Sequence, residues 1–478
     1  MRAGLRNLRE WKATALAVLF SGLILGLATA QASSLKLWYN TVASTPLTQG
    51  LLIGNGRLGG IVMGNVAADT IYLDESSLWT GDANTSGNYS QPGFGAYQLL
   101  GTLALNLPGQ TSYTNLRREL DIGDSLATVT YTSGGVNYTR EYFASKPDQV
   151  MVIRLTASAS AAYSGTLVFS DSHSGTVTGS GNVITVAGAL STGLKYGAQV
   201  QVLNTGGSVS TSGGTVTFSG CDSLTIIVAD GTNYVMDSTQ SWQGADPAAT
   251  IAAQAANAAA KTYAALKTAH QDDFHALFNR VTLDVGTTSS TIASLPTDQR
   301  IAYAAQGSDP DLEELLYQYG RYLLISCSRP GGLPANLQGL WTSANSTSSN
   351  WYCDYHTNIN VQMNYWGAEV SNLSECHLPL LNLIQSQLPV WRLRTADLPT
   401  ASKPNGTPRG WTVRTSHNLT GGMGWNWNVS GNAWYALHFW EHYAFTGDLT
   451  YLQNVAYPLL KEVCQVPGRT ISKAPAAG

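Results

Sequence analysis

The run Asp354-Tyr355-His356-Thr357-Asn358-Ile359-Asn360-Val361-Gln362-Met363-Asn364-Tyr365-Trp366 concentrates amides, an imidazole and three aromatic rings in a stretch whose one acidic side chain is Asp354. Amides and imidazoles donate and accept hydrogen bonds without a fixed charge, and flat rings cover apolar faces, which is the chemistry that grips a polyhydroxylated ring. Spacing narrows the reading. Side chains at i and i+2 point the same way in an extended segment but lie roughly 200° apart on a helix, so Asn358 and Asn360 share a site only ahead of a helix start. Two amides aimed at one point can hold a water or a hydroxyl. The alternative is that one Asn caps a helix beginning near Val361, since Asn is among the preferred N-cap residues.

Two further groupings could carry chemistry. Trp411, His417, Asn418, Trp425, Trp427 and Trp434 form the densest aromatic cluster, set among glycines. Indole faces stack on the apolar face of a pyranose while imidazole and amide groups bond its hydroxyls; the competing reading is that half these tryptophans fill a helical core. His438-Phe439-Trp440-Glu441-His442 matches the H-x-x-E-H pattern of inverted zincins, which would make a zinc peptidase. That chemistry needs a further acidic ligand on a later helix, and Asp448 and Glu462 are the acids that remain. No metal is therefore expected, and no cofactor. Gly54-Asn55-Gly56-Arg57-Leu58-Gly59 has the G-x-G-x-x-G spacing, but strand-like Gly60-Ile61-Val62-Met63 follows where a helix N-terminus would have to hold a pyrophosphate, so the glycines read as turn positions.

The elements that must position these groups fall into two regimes. From Leu35 to about Leu283 apolar and β-branched residues alternate between Gly, Ser and Asn turns, as in Gln149–Thr156 and Gly214–Phe218, which predicts strands of a large antiparallel sandwich. Pro247 to Val281 is Ala-rich with helical spacing and reads as a linker helix. After Pro296 the period is helical over Asp311–Ser326, Val361–Asn372, Leu378–Arg394, Asn432–Thr446 and Asp448–Cys464. The expected organisation is a leader over 1–32, a β-sandwich over 33–246, a helical linker over 247–295, paired helices over 296–464 and a Pro/Gly tail over 465–478 without apolar period.

Arg2, Arg6, Arg9 and Lys12 precede an apolar run from Ala13 to Leu27, too short for the roughly 20 residues of a membrane span, so residues 1–32 read as a cleaved secretory signal and the protein as secreted or periplasmic, free of the membrane afterwards. A net charge of -4 and 12% charged residues leave no footprint for nucleic acid. The five cysteines show no zinc-like spacing.

Together with Ser328-Arg329-Pro330-Gly331-Gly332-Leu333-Pro334-Ala335-Asn336-Leu337-Gln338-Gly339-Leu340-Trp341, the run from Asp354 resembles the catalytic domain of glycoside hydrolase family 95, the inverting α-L-fucosidases. Leu52–Gly60, Leu73–Gly81 and Tyr138–Ser145 resemble strands of that family's N-terminal β domain, in the right order. The resemblance implies a β-sandwich (supersandwich) followed by an (α/α)6 toroid, of which about half the helices are legible. It implies that Asn358 and Asn360 orient the attacking water with help from a carboxylate, and that His356, Trp366, Trp411, His417, Asn418 and Trp434 bind substrate, the terminal α-L-fucose of an oligosaccharide or polysaccharide.

The family's general-acid Glu and assisting Asp lie in motifs beyond the helix that ends at Cys464, and neither motif has a counterpart in this sequence. The chain is accordingly expected to be truncated within the catalytic domain, with an aberrant tail over 465–478, and inactive as it stands. An α-L-galactosidase and a non-catalytic carbohydrate-binding fragment are the alternatives.

Overall fold

The structure, a computed structural model, describes residues 35–90, 92–396 and 410–464. The leader expected over 1–32 and the tail expected over 465–478 lie outside them.

Two antiparallel sheets form the N-terminal part. Nine strands run, across the first sheet, in the order Lys36–Tyr39, Thr114–Asp121, Leu126–Ser133, Val136–Ser145, Val150–Ala157, Ser223–Thr232, Lys195–Thr205, Val183–Ala189 and Thr176–Ser180. Seven form the second: Ser208–Ser212, Thr215–Cys221, Tyr163–Asp171, Gly101–Asn106, Ala68–Glu75, Leu58–Val62 and Leu51–Gly54. Alternation makes them strands. In Leu126–Ser133, Ala127, Val129 and Tyr131 are buried while Thr128, Thr130 and Thr132 are half-exposed, and the buried set faces Tyr142, Arg140 and Tyr138 of the next strand. Burying Arg140 is tolerable because its guanidinium donates to the carbonyls of Asn65 and Val66 and to the Tyr131 hydroxyl, and lies 3.7 Å from Asp69.

The glycine fingerprint is a hairpin. Gly54 pairs with Gly59, Asn55 Oδ1 accepts from the backbone N–H groups of Arg57 and Leu58, and Gly56 turns the chain at φ +88.

The linker is two helices, α1 (Ala248–Ala259) and α2 (Tyr263–Phe278), and not the single helix expected. The chain breaks at 260–262 because Thr262 takes an extended conformation and caps α2 through its hydroxyl. Ile251, Ala255, Ala258 and Leu266 of these helices cover Phe143, Val152, Ile227 and Ala229, a cluster separate from the main core.

The helical part contains α3 (Pro310–Cys327), α4 (Asn360–Val370), α5 (Ser374–Thr395), α6 (Gly431–Thr446) and α7 (Tyr457–Val463). The stretch expected as one helix over 448–464 is interrupted by a π-helical turn at Leu452–Ala456, just ahead of Pro458, whose missing N–H cannot continue an α ladder. Helix α4 packs on α3, α5 and α6. Periodicity gave no warning of a small antiparallel sheet among these helices: Tyr355–His356, Val413–His417 and Met423–Asn428. No described helix is long and apolar enough to cross a membrane.

Candidate active site

The junction between the short strand Tyr355–His356 and α4 builds a cleft of about 500 Å³, lined by Leu337, Gln338, Ser349, Asn350, Trp351, His356, Asn358 and Asn360. That size suits a small ligand. Thr357, fully buried, anchors the junction: its N–H donates to Thr415 O, its hydroxyl to Arg414 O, and its carbonyl accepts from Gln362 Nε2 at 2.8 Å. Asn358 follows in the open and Asn360 begins the helix half-buried. The cap reading fails here. Ile359 occupies the N-cap position, no side chain caps the helix, and neither Asn amide makes a hydrogen bond among the described residues.

His356 is buried except where it lines the cleft. Its Nδ1 bonds Asp354 Oδ1, and the other carboxylate oxygen accepts from the Tyr89 hydroxyl at 2.6 Å. Burial pushes the Asp354 carboxyl above the ordinary aspartate range, and the bonds from His356, Tyr89 and Ser416 pull it back. Immediately upstream, Trp351, Tyr352 and Cys353 all have left-handed backbones, at φ 50, 56 and 54, and Trp351 is 52% exposed at the cleft edge. Non-glycine residues rarely adopt this conformation, and three in a row need external support. Neither Trp351 nor Tyr89 was singled out from the sequence. Nothing in spacing marks a left-handed turn or a ring arriving from 265 residues away.

The other expected substrate contacts do not reach this cleft. His417 and Trp411 are fully buried. His417 stacks on Tyr355 with ring centroids 5.2 Å apart, its Nε2 bonds the Tyr435 hydroxyl at 2.8 Å, and burial pushes its pKa down to about 4. Trp411 stacks on Trp391 at 5.7 Å. Asn418 is 1% exposed and ties the two parts of the chain together: its Nδ2 donates to Asp82 O and Phe94 O, its Oδ1 accepts from the N–H groups of Thr420 and Gly422. Ring stacking for Trp411 and His417, and hydrogen bonds for His417 and Asn418, go with burial of all three in the core. Trp366 and Trp434 lie side by side at 6.3 Å, on α4 and α6, and neither lines the cleft.

The H-x-x-E-H motif is likewise recast. His438 and His442 face inward from α6, but Glu441 is exposed and its place is taken by Glu369 of α4. Glu369 Oε1 accepts from His377 Nδ1 at 2.8 Å and His442 Nδ1 at 2.7 Å, and His377 Nε2 lies 2.9 Å from His438 Nδ1. The donor atoms of Glu369, His377 and His442 sit within 4.8 Å of one another, close enough to hold a metal ion. They already satisfy one another, however, and the group reads as a buried hydrogen-bonded tie between α4, α5 and α6.

An antiparallel sandwich followed by paired helices, with an uncharged amide-and-aromatic cleft at the head of one helix, is similar in build to carbohydrate-active proteins. Residues 262–477 match "Glycosyl hydrolase family 95 catalytic domain", and residues 37–94 and 85–237 match "Glycosyl hydrolase family 65, N-terminal domain". The chain is 31% identical to a "Probable alpha-fucosidase A" of Aspergillus niger, over 93% of this chain and 62% of that one, and 30% identical to "Alpha-L-fucosidase 2" of Arabidopsis thaliana, over 87% and 56%. The chain thus spans about three fifths of the length of these curated relatives. Its fold is similar to that of a "Putative kojibiose phosphorylase from human microbiome", with a TM-score of 0.59 at 12% identity, covering 90% of this chain and 58% of the other.

Proposed function

We propose that the cleft binds the terminal α-L-fucose of a glycan and that Asn358 and Asn360 hold the water that attacks its anomeric carbon in an inverting hydrolysis. The observation that carries this is the pair of unbonded amides sharing one cleft at a strand–helix junction. The names of the relatives support fucose as the sugar. An amide aims a water but cannot take its proton, and inversion needs an acid and a base carboxylate on opposite faces of the ring. No carboxylate lines the cleft among the described residues. The chain is therefore expected to bind L-fucose without measurable turnover. Titration with L-fucose and with L-galactose, alongside fucose release from 2′-fucosyllactose, tests this. Binding of L-fucose with no release is the expected result, preference for L-galactose moves the reading to that sugar, and absence of binding to either overturns it. We also propose export, on the strength of the basic and apolar leader; N-terminal sequencing of exported protein beginning near Ser33 is the check.

A further inference from the structure

Asp354 sits beneath the cleft with no exposure, and each carboxylate oxygen has a different partner. One accepts from His356 Nδ1, the other from the hydroxyl of Tyr89, which reaches over from the N-terminal part. The same hydroxyl is 3.1 Å from Trp351 O, but its single proton serves the shorter contact. The His356 ring is fixed from two further sides, edge-on to Tyr89 at 6.4 Å and to Trp425 at 6.0 Å. An ionised carboxylate only accepts, so a proton must reside on Nδ1; in a neutral imidazole the lone pair then falls on Nε2. Nε2 makes no hydrogen bond among the described residues, and His356 is a wall of the cleft. Beside it, Asn358 and Asn360 offer amide donors and acceptors. A sugar hydroxyl, at once donor and acceptor, is complementary to that pairing.

We propose that Asp354, clamped by Tyr89 of the sandwich, is a positioning residue that fixes His356 as the Nδ1–H tautomer and presents its Nε2 lone pair to the cleft as the acceptor for a hydroxyl of the bound sugar. The acceptor half rests on the sugar-binding reading above. The left-handed turn at Trp351–Cys353 delivers Asp354 to this place. Contacts from the sandwich hold it: Tyr97 N–H donates to Tyr352 O at 3.0 Å, and Tyr352 packs on Phe94 and Tyr89. The sandwich is on this account a working part of the site.

Nitrogen-15 histidine labelling of the chain decides the matter, with His356→Gln assigning the signal. At pH 7 without sugar, His356 should show a protonated Nδ1 and a bare Nε2, and L-fucose should shift the Nε2 resonance. Asp354→Ala should abolish the tautomer preference and weaken L-fucose binding about tenfold, the scale of one charge-assisted hydrogen bond. Tyr89→Phe, which keeps the ring, should loosen the preference with less loss of affinity. A wild-type His356 protonated on Nε2, or on both nitrogens, overturns the proposal even if Asp354→Ala does not fold. A correct tautomer with no response to L-fucose overturns the acceptor role together with the sugar reading, whereas a wrong tautomer in a chain that binds L-fucose overturns this proposal alone.

Discussion

The indole N–H of Trp341 donates to the carbonyl of Ile53 at 2.8 Å, joining residues 288 positions apart. Ile53 lies on Leu51–Gly54, the edge strand of the seven-stranded sheet, whose outer carbonyls would otherwise face open space. Tyr322 of α3 repeats the contact one residue earlier, donating to Leu52 O at 2.6 Å. One continuous apolar core, from Leu51 to Val463, runs through both parts. Trp341→Phe keeps most of the ring area but leaves the Ile53 carbonyl buried and unpaired, so a loss of about 1–3 kcal/mol is expected, within a single cooperative melt. A two-step thermal transition, with the sandwich outlasting the helices, would show that the parts are coupled less tightly than these bonds imply.

Asn358→Ala and Asn360→Ala should leave stability within about 0.5 kcal/mol of the parent, because their amides bond nothing among the described residues. Each should nonetheless weaken L-fucose binding. Asn418→Ala should do the reverse, losing five amide hydrogen bonds and destabilising by about 2 kcal/mol or more while the cleft keeps its lining. Thermal melts beside sugar titrations separate the two classes; an Asn358→Ala protein that melts several degrees lower with unchanged affinity would make that residue structural.

The contrast marks what sequence could and could not disclose. That Asn358 and Asn360 line one cleft was legible because side-chain spacing decides what two residues can share at a strand–helix junction, a property local to the chain. The sandwich was legible for the same reason, through alternation such as that of Ala127, Val129 and Tyr131. His417 and Trp411 were misplaced because residue type alone does not tell a stacking face turned to a sugar from one turned to another ring; Tyr355 and Trp391 occupy the faces a pyranose would need. Glu369 escaped notice beside His438 and His442 because their meeting depends on how α4 crosses α6, and the nearer acid, Glu441, points the other way.

Two histidines give a pH signature. Burial lowers both His270 and His417 to about 4, below the roughly 6.5 of an unfolded histidine. Above pH 6.5 neither state binds the proton, and nothing changes. Between 6.5 and 4 the unfolded chain takes up protons that the folded chain refuses, so each histidine withdraws stability as the pH falls, up to about 1.4 kcal/mol per pH unit. Asp230, raised to about 7 by burial, has the opposite sign, because the folded state binds its proton first. The test is consequently a difference. His417→Gln should be costly at pH 7 and much less so at pH 4.5, converging on the parent by roughly 2–3 kcal/mol. A cost independent of pH would mean that His417 titrates normally in the fold.

The last expectation concerns the motif that spelled a zinc site. Glu369 carries the negative charge of the cluster, its carboxyl held well below the usual glutamate range by hydrogen bonds from His377, His442 and Ser374 that outweigh its burial. Replacing the carboxylate by an amide leaves a weaker, uncharged acceptor for two buried imidazoles and turns the oxygen that accepts from Ser374 into a donor. Glu369→Gln should therefore destabilise by about 3 kcal/mol, the scale for breaking a buried pair, and Glu441→Gln, on the exposed face of the same region, should change stability by less than about 0.5 kcal/mol. Zinc should leave the melting temperature of the parent unmoved, since a metal would have to displace bonds already made at 2.7 and 2.8 Å. If zinc raises the melting temperature of the parent but not of Glu369→Gln or His442→Ala, the cluster is a metal site and the hydrogen-bonded reading of it is wrong.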